Sequence, residues 1–161
     1  MKSATRITFP LQLGLAMILV VFVGALFAQS GTTNPVISDV WIRTTVPGGT
    51  VSAAYMQIKS ATPLKLVKAA SPVAGIVEIH DMKMKDGVME MKAMDALDVP
   101  AGKAVELKPG SVHVMMMKVK KPIFKGDKVP LTLTFEGAGK EPVVVTLDAI
   151  ARESGSSGMM H

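Results

Sequence analysis

The chain contains no cysteine. That absence excludes a thiolate-bound metal, so a blue-copper centre with its cysteine ligand cannot form. It excludes a c-type haem, whose attachment needs C-x-x-C-H. It also means that the fold is held without disulfides, which a domain of ~120 residues can do. Aromatic residues make up only 4%, and beyond residue 30 they reduce to Trp41, Tyr55, Phe124 and Phe135. A nucleic-acid-binding surface built on stacking is therefore poorly supplied. The nucleophile motif G-x-S-x-G and the zinc motif H-E-x-x-H are both missing, which argues against the common hydrolase classes. Beyond the first thirty residues, no run of ten or more shows a helical apolar period.

Charge is modest as well. The net charge is +5, and losing Lys2 and Arg6 would leave +3. The lysines are scattered apart from KVKKPIFKGDK (118–128), which reads as a solvated strand end and turn.

Long hydrophobic runs are confined to the start. Lys2 and Arg6 precede FPLQLGLAMILVVFVGALFA (Phe9–Ala28), and small and polar residues follow. A basic start, an apolar stretch and a small-residue site form a secretory signal peptide over residues 1–30. Cleavage after Ser30 places Ala28 and Ser30 at the two small-residue positions, and cleavage after Ala28 is the second option. The stretch is also long enough to span a bilayer, so an uncleaved N-terminal anchor is the alternative. Either way the remainder is exported, and contact with a membrane is expected only if the segment stays attached.

From Val36 onward the sequence falls into short alternating runs rich in Val, Ile and Thr. They cover 36–44, 52–60, 64–71, 75–84, 87–94, 104–109, 113–120, 129–136 and 142–150, separated by Gly, Pro, Asn and Asp signals. Such spacing predicts an all-β domain, an antiparallel sandwich or barrel. Residues 31–35 read as a linker, 36–150 as the domain, and ARESGSSGMMH (151–161) as a flexible tail.

Within that domain the stretch VEIHDMKMKDGVMEM (77–91) holds His80 and four methionines. Asp86-Gly87 is a strong two-residue hairpin signal. With that turn, Lys85 pairs with Val88, Met84 with Met89, Met82 with Met91 and His80 with Ala93. Alternation then puts His80, Met82, Met84, Met89 and Met91 on one face, with Asp81, Lys83 and Glu90 on the other. A second run, HVMMMK (113–118), places His113, Met115 and Met117 on one face and Val114 and Met116 on the other. Eight methionines lie between residues 82 and 117. Thioether sulfur is soft and neutral and selects Cu(I), whereas zinc favours thiolate, imidazole or carboxylate and calcium wants oxygen. Methionine alternating along a strand is also ordinary core packing, and a lone histidine is commonly structural. Pattern alone leaves both readings open.

The spacing adds a resemblance. His80, ten residues, Met91, twenty-one residues, then His113-Val114-Met115 is similar to the motif of the PCuAC family of exported copper chaperones. VWIRTTVPGG, SAAYMQI, LDVPAGKAVELKPGSVHVMMM and KGDKVPLTLTFEGAG resemble that family's surrounding text. The resemblance covers about residues 36–150. It implies a cupredoxin-like antiparallel β-sandwich of Greek-key topology, binding one Cu(I) near the surface through His80, Met91, His113 and Met115. Met82 and Met117 are candidates to lie beside the ion. The family supplies copper to the CuA centre of cytochrome c oxidase, sometimes with a Sco-type thiol protein, and does no catalysis of its own. Met159, Met160 and His161 form a candidate accessory copper site in the tail, for either Cu(I) or Cu(II). The competing readings are a copper buffer or resistance protein, and a structural exported β-sandwich with a Met-rich core.

Overall fold

The clearest strand is the one that obeys alternation best. In KVPLTLTFEG, Val129, Leu131, Leu133 and Phe135 are buried while Pro130, Thr132 and Thr134 between them are only partly covered. This period of two is what a strand with one face on a core requires. The same logic produces ten strands in the computed structural model, which describes residues 34–139 and 141–153. They are β1 (Val36–Arg43), β2 (Val51–Lys59), β3 (Leu64–Ala70), β4 (Ala74–Lys85) and β5 (Val88–Met94). β6 (Leu97–Val99), β7 (Ala104–Leu107), β8 (His113–Val119), β9 (Lys128–Gly137) and β10 (Val143–Arg152) follow. No helix occurs among the described residues.

The strands form one hydrogen-bonded path in the order β5-β4-β8-β2-β1-β10-β9-β3-β6, with β7 pairing to β2. The path rolls over so that β3 lies against β4. Its two halves thus enclose a single core that includes Ile42, Met56, Ile58, Leu66, Leu107, Val114, Met116, Leu131, Leu133 and Phe135. Burying apolar surface of this kind is the main stabilising term of such a domain. The all-β class is the one predicted.

Three details differ from the sequence reading. First, β1 and β10 pair in parallel, Trp41 with Ile150 and Arg43 with Arg152; the other pairings between named strands are antiparallel. Alternation marks a strand but carries no direction, so the sequence pattern could not show this. Second, β6 is a strand of three residues, too short for a period to be visible. It falls between two of the predicted runs, 87–94 and 104–109. Third, the last strand continues through Ala151 and Arg152, which the sequence reading assigned to the tail. Ala151 is buried, and it bonds Asp127 and Gly126 through its backbone. The parallel pairing with β1 is what extends β10 past residue 150.

The signal or anchor segment 1–30 and the tail methionines and histidine, Met159, Met160 and His161, lie outside the described residues.

Candidate metal site

Two strands bring the histidines together. β4 and β8 pair antiparallel with His80 opposite His113, Ile79 opposite Val114 and Glu78 opposite Met115. Ile79, Val114 and Met116 point into the core. By alternation, His80, Met82, His113 and Met115 share the outer face.

β5 adds the next donor. Its register with β4 is the predicted one: Lys85 with Val88, Met84 with Met89, Met82 with Met91 and His80 with Ala93. The cause is local. Asp86 and Gly87 both have positive φ, 50° and 78°, as a type I′ turn requires at its two central positions. Met91 therefore stands one rung from His80 on the same face, diagonal to it and within reach of a long side chain. Met115 stands one rung away in the opposite direction, on β8. Met82, directly across from Met91, is the next residue to His80 on this face of β4. Met117 pairs with Ile76 and Val51, two rungs from the histidines. Met116 is fully buried and belongs to the core.

The two imidazoles are held in complementary states. Nδ1–H of His113 donates to the carbonyl of Ser111 at 2.8 Å. A carbonyl only accepts, so Nε2 keeps the lone pair. The turn that aims this carbonyl is a Pro-Gly turn: Ser111 N–H bonds Lys108 O at 3.1 Å, and Gly110 has φ 80°. That is type II geometry, with proline and glycine at their favoured positions. In His80 the roles reverse. Nε2–H donates to the Glu78 carboxylate at 2.9 Å, and Nδ1 is buried with no hydrogen-bond partner. An orphaned buried nitrogen costs free energy unless something occupies its lone pair.

The ring centroids of His80 and His113 are 5.9 Å apart. An ion ~2 Å from one nitrogen of each ring sits about 3 Å from each centroid, so the separation suits one bridging ion. Each ring is oriented by an acceptor on its other nitrogen, as ligating histidines usually are. The donor set available is two imidazoles and soft thioethers. Among the described residues, no group of three or more His, Asp or Glu is placed to hold a metal.

One wall is aromatic. Tyr55 on β2 lies beside His113, ring centroids 6.3 Å apart, and stacks on Trp41 at 4.4 Å. This wall helps to bury His113, which is only 3% exposed although it faces outward. Burial pushes the Tyr55 phenol above its ordinary value, with Arg43 opposing in part. Sequence reasoning missed Glu78, the Ser111 carbonyl and this wall. Glu78 had a signal, because E-x-H on one strand puts both side chains on one face.

The chain is similar to known proteins in sequence and in fold. A family model described as "Putative lipoprotein LpqE-like" matches residues 36–147. Lxx21020 of Leifsonia xyli subsp. xyli is 32% identical over 113 residues, 68% of this chain and 66% of that protein. The chain thus spans just under two thirds of that relative's length. Among solved structures, the copper-bound PCuAC domain from PmoF2 superposes with a TM-score of 0.59 at 27% identity, covering 73% of this chain and 92% of that one. The Cu(I) form of DR1885 from Deinococcus radiodurans gives 0.58 at 29% identity, covering 78% and 82%. The chain has the fold of these PCuAC domains.

Proposed function

The chain belongs to the LpqE-like family of lipoprotein-related proteins, and from that premise we propose that it is an exported Cu(I) carrier. His80 Nδ1, His113 Nε2, Met91 and Met115 are its ligands. The observation that carries this reading is the buried, partnerless Nδ1 of His80 beside a histidine whose Nδ1 is already engaged. Copper in the PmoF2 domain and Cu(I) in DR1885 support it by analogy.

The chemistry is that of holding and releasing a cargo. Two imidazoles and two thioethers are neutral, so the site keeps the +1 charge of the ion and disfavours Cu(II). Thioethers cannot form disulfides, which suits an oxidising compartment. Glu78 is the one charged group bonded to a ligand. It orients the His80 ring through Nε2–H while leaving the inner coordination neutral. Met91 is 47% exposed, so a receiving ligand can reach the ion from that side.

The family resemblance supports the CuA-bearing subunit of cytochrome c oxidase as recipient, with a Sco-type thiol protein as a further partner. The family description supports a location outside the cytoplasm, in the periplasm or at the membrane. The 161 residues hold no cysteine to carry an acyl group, and the apolar stretch Phe9–Ala28 is the segment we propose for any attachment. Met159, Met160 and His161 would serve as an accessory capture site. Truncation at Ser154 should then slow copper uptake, and unchanged stoichiometry and transfer would remove that role.

The test of the whole reading is an anaerobic Cu(I) titration of residues 31–161 against a chromophoric chelator, with Met91→Leu and His113→Ala alongside. One tight equivalent, weakened by both substitutions, is the expected result. Binding indifferent to both would leave the methionines as packing and favour a structural β-sandwich.

A further inference from the structure

Beyond His80 and His113 the hairpin leaves the sheet. β8 begins at His113, so residues 81–85 of β4 pair only with β5. The result is a two-stranded ribbon with two unlike faces. One face carries Asp81, Lys83, Lys85, Glu90 and Lys92, with the exposed Val88 beside the turn, and has ion pairs Lys83–Asp81 at 2.6 Å and Lys85–Glu90 at 4.0 Å. The other carries two directly opposed methionine pairs, Met82 with Met91 and Met84 with Met89. Met84 is 65% exposed and Met89 54%.

Packing does not account for the outer pair. A solvated strand face is ordinarily filled with Thr, Lys or Glu, and methionine has no special preference for strands. The charged face of this same ribbon follows that habit except at Val88, beside the turn. Directly opposed residues have Cβ atoms about 4.5–5.5 Å apart, so two flexible thioethers at one rung can close on a common ion. Successive rungs on one face are ~7 Å apart. The order from the tip inward is Met84 and Met89, then Met82 and Met91, then His80 and His113.

We propose that Met84 and Met89 form a second, weaker site for a soft monovalent cation, Cu(I) or Ag(I), which takes up the ion at the ribbon tip and passes it along the methionine face to the histidines. This rests on the carrier reading above. In each step the bonds to one sulfur pair break as bonds to the next form. The ion stays at +1, the thioethers stay neutral, and no proton or electron moves. The direction is downhill because two exposed sulfurs give way to a partly buried set that includes imidazole.

The test is methionine ε-methyl NMR of residues 31–161, which include the whole described domain, titrated anaerobically with Cu(I) and separately with Ag(I). The first equivalent should shift Met91 and Met115, and a second, weaker one should shift Met84 and Met89. A Met84→Leu/Met89→Leu variant keeps the apolar bulk and removes the sulfur. It should retain the first equivalent, lose the second and load from a chelator complex roughly tenfold more slowly, since capture no longer supplies a high local concentration of ion. Saturation of the parent at one equivalent, with the Met84 and Met89 methyls unmoved, overturns the proposal and leaves the carrier reading intact. Parent-like loading by the double variant overturns it too, and makes the tip an apolar contact surface. A parent without a first equivalent, or one whose first equivalent survives His113→Ala, removes both readings together.

Discussion

His80 and His113 face each other across β4 and β8, and each ring offers a different nitrogen: Nδ1 from His80, Nε2 from His113. The asymmetry follows from what each ring leans on, a side-chain carboxylate two residues upstream in one case and a main-chain carbonyl two residues upstream in the other.

Glu78 should therefore matter to copper without touching it. Glu78→Ala frees Nε2 of His80 and lets the ring turn or change tautomer. Cu(I) affinity is expected to fall by about 10–100-fold. Glu78→Gln, whose amide oxygen still accepts from Nε2–H, should recover part of it. Chelator competition measures the affinity, and the ring ¹⁵N shifts of His80 report whether Nε2 remains the protonated nitrogen.

Methionines in adjacent positions should separate cleanly. Met116→Ala removes a fully buried side chain and should cost about 2–5 kcal/mol of folding stability, with Cu(I) stoichiometry unchanged. Met91→Leu sits on an exposed edge and should shift unfolding by less than about 0.5 kcal/mol while weakening Cu(I) binding. Paired denaturation and titration curves decide the matter, and equal effects in both assays from either residue would contradict the assignment.

Gly87 tests whether the turn delivers Met91. It has φ 78°, and a Cβ there would meet nothing within 4 Å. The cost of Gly87→Ala is then conformational alone, about 1–2 kcal/mol for an L-residue in the left-handed region. It should fall on the ribbon: faster amide exchange in β5 and weaker Cu(I) binding, with the core strands β9 and β10 unaffected.

Tyr55 is the only tyrosine in the chain, so its ionisation can be followed by ultraviolet absorbance. Burial raises its pKa above 10.0. The unfolded chain ionises first as pH rises, so the contribution of this group to stability is complete below pH 10.0 and is lost as pH climbs through the folded-state value. The tyrosinate signal in the native protein should thus appear above pH 10.0 and coincide with alkaline loosening of the aromatic wall.

Much of this arrangement is legible in the sequence where the determinants are local. The Asp86-Gly87 dipeptide dictates a turn type, the turn type dictates register, and register puts Met82 opposite Met91. The meeting of His80 and His113 is non-local: more than thirty residues separate them, and no dipeptide encodes which strand β8 will join. Glu78 is legible as E-x-H, but among soft ligands a carboxylate on an outer strand face has the look of ordinary surface. The Ser111 carbonyl leaves no trace in side-chain identity. The parallel partner of β1 is equally silent, because alternation looks the same in either direction.

The strand that carries Met91 is the last in the sheet and is bonded on one side only, whereas β4 at His80 and β8 at Met115 have neighbours on both. Disassembly of the site therefore has a built-in sequence. The seven residues of β5 can fray while the other three donors keep their places, and such local openings are far less costly than global unfolding. In the carrier role proposed above, a receiving protein would need only to add a ligand along that loose margin. Thermal toughness and, in that role, speed of handover would then be governed by different parts of the chain. Substitutions that tighten the Phe135 core would harden the domain without slowing release from a proposed site at its margin, and substitutions in β5 would retune that release at almost no expense to the fold.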